Sequence, residues 1–138
     1  MKGKEKVVSH LNDVLRSELI AISQYFIHAE MQEAWGYGKL GAYIKKQSID
    51  EMKHAEKIIE RLLFLEAVPK MDYLDLNIGQ DVRAQLAADY KLELGAVEMY
   101  NNAVKVAREA GDDVALVADL VLGEEAAILG DAAVEHVG

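Results

Sequence analysis

Apolar residues recur along this chain at spacings of three and four, and strand-like alternation is nowhere sustained. Val8, Leu11, Leu15, Ile22, Tyr25 and Ala29 form one such stripe, which predicts a first helix from about Glu5 to Trp35. Gly36, Gly38 and Gly41 interrupt it. Ile44, Ile58, Leu62 and Leu65 predict a second helix from about Leu40 to Glu66. The stretch from Pro69 to Gly79 is too long for a tight turn and reads as a crossing connection. A third helix is predicted over roughly Gln80 to Ala110. Gly111 stops it, and Asp112-Asp113 caps a fourth that runs to the chain end. Short, long, short connections between four long helices predict an all-α bundle with one long crossover between helices 2 and 3, a single domain over residues 1–138. A plain bundle without any site meets this pattern equally well.

The stripes contain acids. Glu18 lies three residues after Leu15 and four before Ile22, and Glu93 lies in the stripe of Val82, Leu86, Ala96, Tyr100 and Ala103. A buried carboxylate is costly unless it is paired or bound to a cation. Both surroundings read E-L-x-A-x-x-x-Y. Glu51 follows Glu18 by 33 residues and Glu124 follows Glu93 by 31, as if one helical hairpin occurred twice. A single glutamate in a stripe is usually an edge position; four in matching places are not. Facing carboxylates repel and desolvate one another, so a cation turns a costly cluster into a ligand set.

The segment DEMKHAE at 50–56 adds a nitrogen, because Glu51 and His54 stand three apart and share a helix face. One Glu from each of two helices and Glu-x-x-His from each of the other two is the di-iron carboxylate set. Five of its six positions are met. The sixth is not, since the second half reads Glu124-Glu125-Ala126-Ala127 and Ala127 has no donor. His136 lies twelve residues beyond Glu124, about 18 Å along the helix axis, too far to replace it. Oxygen and nitrogen donors suit iron or manganese, and the absence of cysteine removes thiolate sites.

Composition narrows the classes. With 15 basic and 24 acidic residues the net charge is −9, which argues against nucleic acid as the partner. No run approaches the length of a membrane span, and the opening MKGKEKVVSHLND lacks a signal-peptide apolar core, so the cytoplasm is the expected location.

Over roughly residues 1–110 the chain resembles a bacterioferritin, the haem-containing branch of the ferritins. The likeness rests on the N-terminal MKG, the Glu18 segment with Gln24-Tyr25-Phe26, Trp35-Gly36, SIDEMKHAE, FLE before Pro69, LNIG at 76–79 and LELGA around Glu93. The resemblance implies a ferritin-like fold and a ferroxidase that oxidises Fe(II) with dioxygen or peroxide. Ferric iron is then stored within a shell of 24 subunits built from two-fold dimers. It implies Glu51 as a bridging carboxylate, with Glu18 and His54 at the first iron. Glu124 is then the second bridge, Glu93 the terminal ligand of the second iron, and Tyr25 an electron donor beside the centre. Met52 matches the axial ligand of haem b, shared across the dimer. The chain departs from the family at Ala127 and in an Ala-rich fourth helix containing Gly123 and Gly130, and with the sequence running to Gly138 a bundle lacking the family's short fifth helix is the expectation.

From the residues alone, Met52 points about 100° away from Glu51. There it joins Ile49, Ile59 and Leu63 on a second apolar face, which implies a partner such as another copy. A methionine in that setting is packing more often than ligand. His10 and His28 read as satisfied structural histidines, and Trp35, Tyr37 and Tyr43 as packing around the first loop. Lys45, Lys46 and Lys53 fit either haem propionates or a solvated face. Three functions follow: a ferroxidase that carries haem; a non-catalytic haem-binding subunit that co-assembles with a competent paralogue in a mixed shell; and a rubrerythrin-like peroxidase, which the lack of Cys disfavours.

Overall fold

The computed structural model describes residues 2–70 and 73–111. The predicted fourth helix, with Glu124, Ala127 and His136, lies outside the described residues. The described residues form three helices: α1 (Lys2–Ala34), α2 (Gly38–Phe64) and α3 (Val82–Glu109). None of them is long and apolar enough to cross a membrane.

The helix ends explain themselves locally. Gly36 takes a φ of 92°, its N–H bonds Glu33 O, and the N–H of Tyr37 bonds Gln32 O. This left-handed cap satisfies the last carbonyls of α1. The same pair of bonds closes α2, from Glu66 to Leu63 and from Ala67 to Leu62, but there Glu66 adopts a φ of 60° without being glycine. α3 starts where the Asp81 carboxylate accepts from the Ala84 N–H at 2.7 Å, two residues after the sequence-based start.

α1 packs against both α2 and α3. Val7, Leu11, Val14 and Leu15 meet Ala55, Ile58 and Leu62 of α2 and Ala103 of α3 in the main core. A smaller cluster joins Ala21, Tyr25 and Ala29 to Ile44. Gly41 lets α2 approach closely, since a Cβ there would stand 2.9 Å from Ala29 O. Between the two clusters runs the turn of α1 that carries Glu18.

The crossover is tied down by α1 side chains. Asn12 Oδ1 accepts from the Lys70 N–H, Arg16 donates to Tyr73 O, Gln24 Oε1 accepts from the Asn77 N–H and His28 Nε2 from the Gly79 N–H. These bonds give the loop's backbone the partners that secondary structure would otherwise supply. They also explain why Asn12, Gln24 and His28 are buried. Gly79 is required here, because a Cβ would collide with the Gln85 backbone. One expectation fails on α3: Leu86 is 41% exposed, while Gln85 and Asp89 take the inner face. The reason is that α1 presents polar partners at that height, so the helix turns its polar side inward.

Candidate metal centre

Glu18 from α1 and Glu51 and His54 from α2 converge. Their ligand atoms all lie within 4.8 Å of one another, and Glu18 is only 2% exposed. His54 Nδ1 is 3.6 Å from Glu51 Oε2, as the i, i+3 spacing on one helix face requires. Two carboxylates and one imidazole around one point can hold a divalent cation with open positions left over. These donors fit iron: hard oxygens with one borderline nitrogen, and no thiolate anywhere in the chain.

Glu93 approaches from α3. Its Oε1 accepts a hydrogen bond from Tyr25 Oη at 3.2 Å. Tyr25 is buried, and burial pushes its phenol far above the usual tyrosine range; the nearby Glu93, Glu51 and Asp89 carboxylates push it further. The phenol is therefore neutral and fixed as a donor. Glu93 stands outside the three-residue cluster, and the Tyr25 phenol it binds also feels the charge of Glu51 in that cluster.

Met52 lies on the outer side of α2 and is 55% exposed, with Ile49 one turn before it and Leu63 three turns after it also exposed, whereas Ile59, expected on the same face, packs against the main core. An exposed thioether on an apolar face fits a soft axial ligand, and one chain supplies one such sulfur there. Lys45 pairs with Glu30 at 3.5 Å and lies 6.0 Å from the Phe26 ring centroid. His10 is eight residues before Glu18 and outside the cluster.

Sequence reasoning placed His28 as a structural histidine, and both its ring nitrogens are bonded: Nδ1 to Asp89 Oδ1 at 2.9 Å and Nε2 to the Gly79 N–H at 3.0 Å. It gave no structural role to Gln24, Gln32, Gln85 or Asp89, all buried. The signal was there, since polar residues recur every four positions at 24, 28 and 32 and again at 85, 89 and 93. Burial raises the Asp89 carboxyl above its usual range, and hydrogen bonds from Gln24 and His28 partly offset this.

The profile of the Ferritin-like domain matches residues 8–117. The chain is 47% identical over 115 residues to the bacterioferritin of Rhodobacter capsulatus, covering 83% of this chain and 71% of that protein. It superposes on the crystal structure of BfrA from M. tuberculosis with a TM-score of 0.82 and 36% identity, covering 91% of this chain and 79% of the other. A mycobacterial bacterioferritin structure matches at a TM-score of 0.83, with 34% identity and the same coverage. The fold is the ferritin-like four-helix bundle. The chain belongs to the bacterioferritins.

Proposed function

We propose that this chain is a cytoplasmic iron-storage and iron-detoxifying protein, one bundle domain over residues 1–138, that oxidises Fe(II) at a di-iron carboxylate centre. The observation that carries this reading is the convergence of Glu18, Glu51 and His54 within 4.8 Å. Glu18 and His54 would hold the first ion and Glu93 the second, with Glu51 and Glu124 as the carboxylates that would serve both. Fe(II) is the substrate, and its electrons pass to dioxygen or peroxide. The carboxylates stabilise the higher charge of Fe(III) and so favour its formation. Tyr25 offers a further electron, its proton passing along the 3.2 Å bond to Glu93 Oε1. Ala127 leaves the second ion without a nitrogen donor, which makes that half the weaker one.

Met52 is the residue that would hold haem b, shared by two chains about a two-fold axis, as its exposure on an apolar face supports. Haem would supply an electron route across the dimer. Such dimers build the homo-oligomer, up to a 24-subunit shell. The same exposed Met52, together with Ala127, favours a second reading: a non-catalytic haem-binding subunit in a mixed shell with a competent paralogue.

The test is metal content and absorption spectrum as isolated, then Fe(II) oxidation in air against Glu18→Ala. Wild-type protein should oxidise iron at least tenfold faster than the variant. Equal rates overturn the catalytic reading. A haem spectrum with no iron turnover would support the second.

A further inference from the structure

We propose that the buried pair His28–Asp89, braced by Gln24, is a positioning device for Glu93: a polar ladder between α1 and α3 sets the register that delivers this carboxylate to the metal centre. The inference rests on Glu93 being a ligand.

The ladder has three rungs. Gln32 Nε2 donates to Gln85 Oε1 at 2.9 Å, His28 Nδ1 to Asp89 Oδ1 at 2.9 Å, and Tyr25 Oη to Glu93 Oε1 at 3.2 Å. Each rung steps one turn back along α1 and one turn forward along α3, so the two helices run antiparallel. A slip of one turn moves α3 by about 5.4 Å and takes Glu93 away from Tyr25.

Apolar packing is a poor guide to register at this height. Leu86 and Leu94 face outward, and the inner positions near Asp89 are the small Ala88 and the part-buried Leu92. Small side chains slide past one another at little cost, whereas hydrogen bonds are directional. Setting register is the best-attested use of a buried polar pair.

Hydrogen-bond accounting also fixes the polarity of the middle rung. The Gly79 N–H can only donate, so His28 Nε2 accepts and the ring proton of the neutral imidazole sits on Nδ1, directed at Asp89. Asp89 Oδ1 takes a second bond from Gln24 Nε2 at 2.9 Å, and Gln24 Oε1 holds the Asn77 N–H. The crossover, α1 and α3 are thus locked by one connected network, one turn from Glu93. His28, Asp89 and Gln24 belong to no metal cluster among the described residues, so they act through Glu93.

The experiment uses the full chain stripped of metal, titrated with Co(II) by calorimetry and visible absorption. The ultraviolet resonance Raman signal of the Tyr25 phenol is read in parallel, by difference against Tyr25→Phe. Wild-type protein should show a tighter and a weaker Co(II) site, the weaker one abolished by Glu93→Ala. Asp89→Leu should weaken that site about 10- to 100-fold, change the tighter one by no more than about threefold, and lose the Tyr25–carboxylate signature. Asp89→Asn keeps the Oδ1 acceptor and should restore both. His28→Phe, which keeps the ring volume, should behave as Asp89→Leu and serves if that variant does not fold. Unchanged Co(II) affinities with an unchanged Tyr25 signal in the folded variants overturn the proposal. A weaker site indifferent to Glu93→Ala overturns the ligand role instead, and the Tyr25 signal still decides whether the ladder sets register.

Discussion

Glu18→Gln should invert the stability order of apoprotein and metal-loaded protein. In the metal-free state the Glu18 and Glu51 ligand oxygens lie within 4.8 Å. When both are ionised they repel by about 3 kcal/mol at an effective dielectric of about 20. Glu18 is 2% exposed, so solvent screens little of this. Glutamine keeps the shape and removes the charge, at the cost of an amide that must find new partners. A net gain of about 1–2 kcal/mol is expected, raising Tm by about 3–6 °C for a chain of this size. With metal present the sign reverses. A cation at 100 times its Kd stabilises wild-type protein by about 2.7 kcal/mol, and the variant should lose most of that. Differential scanning calorimetry at pH 8, with chelator and then with Co(II), reads both states. If Glu18→Gln melts below wild type in chelator and gains an equal shift with Co(II), the cluster is not a metal site and the reasoning is wrong.

Gly41→Ala should destabilise by about 1–3 kcal/mol, because the new Cβ meets the α1 backbone at Ala29 O (2.9 Å) and Glu33 N (3.3 Å), which outweighs a helix-propensity gain of about 1 kcal/mol. Urea denaturation should show a lower midpoint at unchanged slope; a higher midpoint refutes the close packing. Tyr25→Phe should flatten the alkaline limb of stability. A raised phenol pKa costs nothing below the unfolded value of about 10, and stability is lost as pH rises above it, by about 1.4 kcal/mol per unit. Urea midpoints measured at intervals from pH 9 to about 11.5 should diverge in favour of the variant, and parallel curves would refute the neutral buried phenol.

The linear pattern determined what depends on near neighbours. Helix periodicity, the Gly36 cap and the shared face of Glu51 and His54 span only a few residues, so spacing alone states them. Even Glu18 could be read as buried, because Leu15 and Ile22 bracket it on the same stripe. Where the tertiary structure decided, the cause lay in another element. α3 rotates Leu86 outward because His28 and Gln32 await Asp89 and Gln85 across the interface, and a stripe drawn from apolar residues alone assumes an apolar inner face. The left-handed Glu66 carries no glycine to announce it; the end of α2 imposes it. The roles of Gln24 and His28 emerge only when the crossover presents its amides to them. Residue types and helical period establish that this chain has carboxylates and an imidazole to aim inward. Only packing, by fixing how α1 meets α2 and how a polar ladder registers α3, decides which of them meet.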